Sequence, residues 1–210
     1  MSAENTVRLL ELVSSKICHD LISPVGAVSN GVEILEEMGA DDDVTALISF
    51  SAAQANAKLK TLRLAYGLGG ADTGIRLEEI HQTFNEFITG DNRVKQDWDA
   101  HLDLGFEPKT GFPKILMCSL LLASEALPKG GTISVSAEDN DTILVMGHGE
   151  NANFRDGVTN ALMLETPAND LAPKLIHPYI TGLFAQIYGF DITTDTSQTD
   201  SISLRVKQNA

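Results

Sequence analysis

Residues 5–38 carry an apolar side chain every three or four positions (Leu10, Val13, Ile17, Leu21, Val25, Val28, Val32 and Leu35). That stripe constrains the fold of the N-terminal part more than any other feature. With about 3.6 residues per turn, such spacing is one face of a single long helix. Gly39 is a stop signal after it, and the acidic turn ADDD at 40–43 offers an N-cap for a second helix over about 43–68. The second helix lines up Val44, Leu47, Ile48, Ala55, Leu59, Leu62 and Ala65, and its many Ala and Ser residues let helices approach closely. Two antiparallel helices on a short turn make an αα-hairpin. A lone hairpin cannot bury a two-sided seam. The expectation is therefore a homodimer through residues 1–68, two hairpins forming a four-helix bundle.

The glycine-rich break GLGGADTG at 67–74 divides the chain, giving an N-terminal hairpin (1–70) and a second domain (71–210). In the latter the spacing predicts a short helix over 77–89, strand-like pieces near 95–104 and an apolar helix over 112–127. The strands TISVSAED and DTILVMG, a helix over 172–188 and the strands FDITTDT and SISLRV follow. Strands gathered on one side and helices on the other predict an α+β two-layer sandwich. A formal charge of −14, with 29 acidic side chains against 15 Lys and Arg, argues against nucleic acid and against an anionic membrane surface as partners. No stretch is apolar enough to span a bilayer, and the N-terminus carries charges where a secretion signal has its apolar core, so a cytoplasmic protein is expected. A protein partner or small ligand is left.

One histidine stands out. The segment HDLISP at 19–24 lies within the first helix, and His19 sits two residues from both Ile17 and Leu21. It is thus about 200° round from the seam, on the solvent side. Its neighbours on that face are Ser15, Lys16, Ile22, Ser23 and, two turns on, Gly26; small side chains dominate and leave the ring accessible. Pro24 has no N–H, so the Asp20 carbonyl loses its helical partner and the backbone kinks beside the histidine. A carboxylate accepting from Nδ1–H would fix the tautomer and leave a lone pair on Nε2, which makes a nucleophile. An ordinary surface histidine, or a pH-sensitive dimer, fits the same geometry.

HDLISP resembles the H-box of sensor histidine kinases, H-[ED]-L-x-[ST]-P, which lies on the first helix of a dimeric hairpin. By that resemblance His19 carries the phosphoryl group, Asp20 is its acid/base partner, and Ser23 stands where kinases often have a polar residue assisting dephosphorylation. The second domain resembles the kinase ATPase domain with its site lost. MCSLLLASEALPKGGTISV at 117–135 is similar to the Asn-bearing helix of those domains, but no asparagine lies between Cys118 and Leu127 to hold Mg²⁺. In VMGHG, Gly147 and Gly149 survive while Val145 replaces the adenine-reading aspartate. The phosphate loop is replaced by a segment with Pro167, Pro173 and Pro178.

A dimeric H-box hairpin joined to a degenerate ATPase-like (Bergerat-type) domain resembles the ChpT-type histidine phosphotransferases of alphaproteobacteria, most specifically through HDLISPVGAVSNGVEIL. The resemblance implies a phosphorelay intermediate. Phosphate would come from the receiver domain of a hybrid histidine kinase and go, through phospho-His19, to the receivers of response regulators. Ser15, Lys16, Ile22, Ser23 and Gly26 would form the partner-binding patch. No cofactor of its own is implied, since the receiver brings Mg²⁺, and no ATP binding. An active kinase core and a non-catalytic dimeric scaffold are the alternatives.

The remaining candidates read as structural. His81, His101, His148 and His177 make no metal-ligand spacing, and no metal site is expected. Cys18 cannot pair with the adjacent His19 on a helix and reads as packing; Cys118 has no disulfide or metal pattern. The glycines at 130, 131, 147 and 149 read as turns, the acids at 41–43 as a cap, and Trp98 and the Phe residues as core.

Overall fold

The computed structural model describes residues 2–39, 41–90 and 93–209. Helix α1 runs over Ala3–Met38 and α2 over Asp42–Tyr66. Ser2 caps α1 by accepting from the Asn5 N–H, and Gly39, at φ +85, ends it with its N–H on the Leu35 carbonyl. Asp41 caps α2 by accepting from the N–H groups of Asp43 and Val44, the role expected of the acidic turn, whose Ala40 lies outside the described residues. The two helices form the predicted hairpin. Buried Gly31 lets them approach closely: a Cβ there would stand 2.5 Å from Ile48 Cγ1.

The rest of the described chain is an α/β sandwich. Its helices are α3 (Leu77–Thr89), α4 (Phe112–Glu125), α5 (Val158–Leu162) and α6 (Ile176–Tyr188). Its strands are β1 (Val94–Gln96), β2 (Gly131–Asp139), β3 (Thr142–His148), β4 (Phe190–Asp195) and β5 (Ser201–Gln208). The sheet order is β1-β2-β3-β5-β4, with β1 parallel to β2 and every other pair antiparallel. Alternation sorts the faces: Ile133, Val135, Ile143, Val145, Ile202 and Leu204 turn to the core, while Ser136 and Arg205 stay outside. Helix α4 is the core's centre and is buried from Phe112 to Ala123.

Three sequence expectations shift. The region 95–104 pairs only over Val94–Gln96, because side chains of Asp99 and Asp103 accept from the His101 and Gly105 N–H groups and turn the chain instead. The late helix begins at Ile176 rather than 172, after 3₁₀ turns at Ala168–Asp170 and Pro173–Leu175. Helix α5 was not expected: five residues are too short for a helical period to register.

The hairpin does not stand apart from the sandwich. Leu64 and Ala65 near the end of α2 belong to the α4-centred core, and Leu9 of α1 packs with Val158 and Ile176 in a second apolar cluster. Buried Lys114 of α4 donates to the Ala65 and Gly67 carbonyls (3.1 and 2.6 Å), closing the C-terminal end of α2. Its ammonium also lies 4.4 Å from the Phe184 ring centre.

Candidate active site

The seam places the His19 side chain outward, 88% exposed. Its Nδ1 lies 3.4 Å from Asp20 Oδ1, a long contact between neighbours on one helix. Nε2 is the nitrogen left facing away from that carboxylate. Ser15, Ile22 and Ser23 are exposed around the ring, and the space beside Gly26 is open, with nothing within 4 Å of a Cβ placed there. Lys16, expected in the same patch, turns to the carboxylate: its Nζ is 3.3 Å from Asp20 Oδ2 and 3.5 Å from Glu125 Oε1 at the end of α4.

Helix α1 continues through buried Pro24. The carbonyl that proline strands is not left to solvent, because Lys58 of α2 donates to the Asp20 oxygen at 3.0 Å. Asp20 is thus held at its side chain by Lys16 and at its backbone by Lys58. The sequence pointed to the orphaned carbonyl but not to its partner, which comes from another helix.

Deeper along the same line, Tyr66 at the end of α2 meets His177 of α6. His177 Nε2 faces the Cys118 carbonyl at 3.2 Å and so carries the proton; Nδ1 then accepts from the Tyr66 O–H at 2.6 Å. Burial is the largest influence holding His177 below the ordinary imidazole range, while Glu125 pulls upward, Lys16 downward and Asp20 upward. Burial likewise raises the Tyr66 phenol well above its usual value, with smaller pushes from Cys118, Glu125 and Asp20. The sequence reading took His177 only as a non-ligand.

Between α2, the end of α3 and the end of α4 opens a cleft of about 550 Å³, bordered by Gln54, Lys58, Phe87, Glu125 and Arg155. It adjoins Asp20 through Lys58. By contrast, the space between α4 and the segment after β3, lined by Leu122, Phe154, Arg155 and Lys174, amounts to about 10 Å³. Val145 faces the core with no exposed surface. The glycines after α4 and β3 serve backbone crossing: a Cβ on Gly131 would meet the His148 carbonyl at 2.0 Å, and one on Gly149 the Gly130 carbonyl at 2.2 Å.

Among the described residues no three His, Cys, Asp or Glu side chains are grouped to hold a metal. His101 pairs with Glu78 at 3.0 Å, and His81 stacks edge-on to Trp98 with 4.7 Å between ring centres. Cys18, expected to pack, is instead exposed, since its position on α1 falls beside His19 rather than on the stripe. Cys118 is buried, and burial pushes its thiol up to about 12.

Comparison with known proteins gives this geometry a context. The family described as histidine phosphotransferase C-terminal domain matches residues 77–200. Protein phosphotransferase ChpT of Brucella abortus (strain 2308) is 31% identical over 96% of this chain and 98% of its own length. A solved bacterial phosphotransferase, at 1.7 Å resolution, superposes with a TM-score of 0.78 and 28% identity, over 99% of this chain and 98% of that one. No described helix is long and apolar enough to cross a membrane. A sandwich matching the family over most of its length, joined to a hairpin that presents His19, accounts for both halves of the fold: the chain belongs to the ChpT-type histidine phosphotransferases.

Proposed function

We propose that His19 is the phosphoryl carrier of a cytoplasmic phosphorelay step, loaded by the receiver domain of a hybrid histidine kinase and unloaded by response-regulator receivers. The observation that carries this reading is the exposed ring of His19 with Nδ1, but not Nε2, turned to a carboxylate. In the forward step the Nε2 lone pair attacks phosphorus of the receiver's aspartyl phosphate. The N–P bond forms as the P–O bond breaks, and the receiver's carboxylate leaves with the electron pair. Nδ1 keeps its proton, and Asp20 balances the positive charge that appears on the ring. Attack by a second receiver's carboxylate reverses the step. Such transfer needs positioning and charge neutralisation rather than further covalent machinery. The receiver supplies Mg²⁺, and this chain holds no cofactor of its own.

Ser15, Ile22, Ser23 and Gly26 form the receiver's landing patch. The hairpin (1–70) is the dimerising, phosphate-carrying unit, and the domain 71–210 is an ATPase-like fold that takes no nucleotide. Two observations support these points. Val7, Leu10, Val25 and Val32 of α1 and Leu47, Phe50 and Leu59 of α2 are exposed in one protomer, the apolar surface a second hairpin would cover in a four-helix bundle. Val145, buried in the core with no exposed surface, offers no polar group where a kinase aspartate would read an adenine, which supports the second point.

The test is transfer of label. Given radiolabelled ATP alone the protein takes up nothing; given labelled ATP with a hybrid kinase and its receiver it gains acid-labile label, which His19→Ala abolishes. Label from ATP alone would make the chain a kinase, and no label under either condition a scaffold.

A further inference from the structure

We propose that Lys58 is a positioning residue for the transfer step, fixing Asp20 beside His19 by occupying the backbone carbonyl that Pro24 strands. The proposal rests on the reading of His19 as phosphoryl acceptor, and one of its two readouts needs no partner.

A proline inside a helix removes the N–H that would bond the carbonyl four residues back. At Pro24 that carbonyl belongs to Asp20, the residue whose carboxylate faces His19 Nδ1. An unpaired carbonyl there would turn toward water and leave the helix free to bend at that point. Lys58 closes the question with a 3.0 Å bond from α2. Because it reaches across from the antiparallel helix, it ties the level of His19 on α1 to a fixed level on α2. The carboxylate is restrained separately by Lys16, itself facing Glu125 of α4. Asp20 is therefore held by two lysines, Lys16 at its carboxylate and Lys58 at its carbonyl, and the Lys58 contact acts on the backbone from which its side chain departs.

The consequence lies in the ring's proton. With Asp20 Oδ1 opposite Nδ1, the neutral ring keeps its proton there and offers its lone pair at Nε2. Without that carboxylate in place the proton moves toward Nε2, the form a histidine side chain favours in water, and the exposed nitrogen loses its nucleophilic pair.

The experiment uses the whole 210-residue chain and two variants at Lys58: Lys58→Met, which keeps the stem and removes the donor, and Lys58→Arg, which keeps a donor. The first readout is the ¹⁵N shifts of the neutral His19 ring in alkaline buffer, assigned with His19→Gln. Wild type and Lys58→Arg are expected to show the Nδ1–H tautomer and Lys58→Met a mixture. The second is the rate of label transfer from a phosphorylated receiver, expected to fall about tenfold in Lys58→Met and to recover in Lys58→Arg. Unchanged tautomer in Lys58→Met overturns the proposal, whether or not transfer slows. Slowed transfer with an unchanged ring would assign Lys58 to receiver contact in the adjoining cleft instead. Failure of the wild type to accept label would defeat the relay reading, while the tautomer result would still decide the role of Lys58.

Discussion

The Tyr66 hydroxyl and His177 Nδ1 stand 2.6 Å apart where the end of the hairpin meets α6. The bond is paired with a second from His177 Nε2–H to the Cys118 carbonyl, so the buried imidazole is satisfied at both nitrogens. Removing the hydroxyl leaves the Nδ1 of buried His177 without its donor. Tyr66→Phe is expected to destabilise the protein by about 1–3 kcal/mol, measured by urea denaturation. A loss of less than a few tenths would mean water replaces the hydroxyl.

The same histidine predicts a pH dependence. Burial lowers its folded-state affinity for protons below the ordinary value of 6.5. Between the folded and unfolded values the unfolded chain binds more protons, so stability rises with pH there. The contribution is fully present above 6.5 and is lost progressively as pH falls below it. Thermal melts of wild type and His177→Gln across this range should therefore converge in acid and separate near neutrality. Parallel curves would remove His177 as the source.

The hairpin's close approach gives a packing prediction. A side chain at position 31 would drive into Ile48. Gly31→Val should cost about 1–3 kcal/mol through overpacking against Ile48, seen as a lowered melting temperature. If Ile48 simply swings aside, the melting temperature will not move.

The exposed apolar stripe predicts the oligomer. Leu10→Glu with Phe50→Glu places charges on the surface proposed to be covered by a second copy, and sedimentation should show a monomer where wild type sediments as a dimer. A double variant that still sediments as a dimer would place the interface elsewhere, and a wild type that sediments as a monomer would refute the dimer.

Restoring the kinase aspartate should not restore a nucleotide site. Val145 points into the core with no exposed surface, so Val145→Asp buries an unpaired carboxylate and should cost about 3 kcal/mol or more. Calorimetry with ATP is expected to show no heat of binding.

What the sequence revealed follows the range of the forces involved. The stop at Gly39, the cap at Asp41, the alternation in β2 and β3, and the outward face of His19 are local patterns, and each appears where its residues place it. Helix α3 occupies Leu77–Thr89 as its spacing predicted, with the Glu79 side chain accepting from the Arg76 N–H at 3.4 Å. Contacts between distant elements left no such trace. Lys58 and Asp20 are 38 residues apart, Lys16 and Glu125 109, and Tyr66 and His177 111. None has a periodicity or motif to announce it. The available hints were chemical: Pro24 orphans the Asp20 carbonyl, and Lys114 is the single charge among the apolar residues of α4 before Glu125, a setting in which a charge calls for partners of its own.

The central claim, that His19 accepts phosphate on Nε2, is tested most directly by phosphorylating the protein from a receiver and locating the phosphate. The account predicts an acid-labile, alkali-stable phosphate on the peptide containing residue 19, with the ³¹P signal of Nε2-phosphohistidine, and none in His19→Ala. Phosphate on another residue, or persisting in His19→Ala, would contradict it.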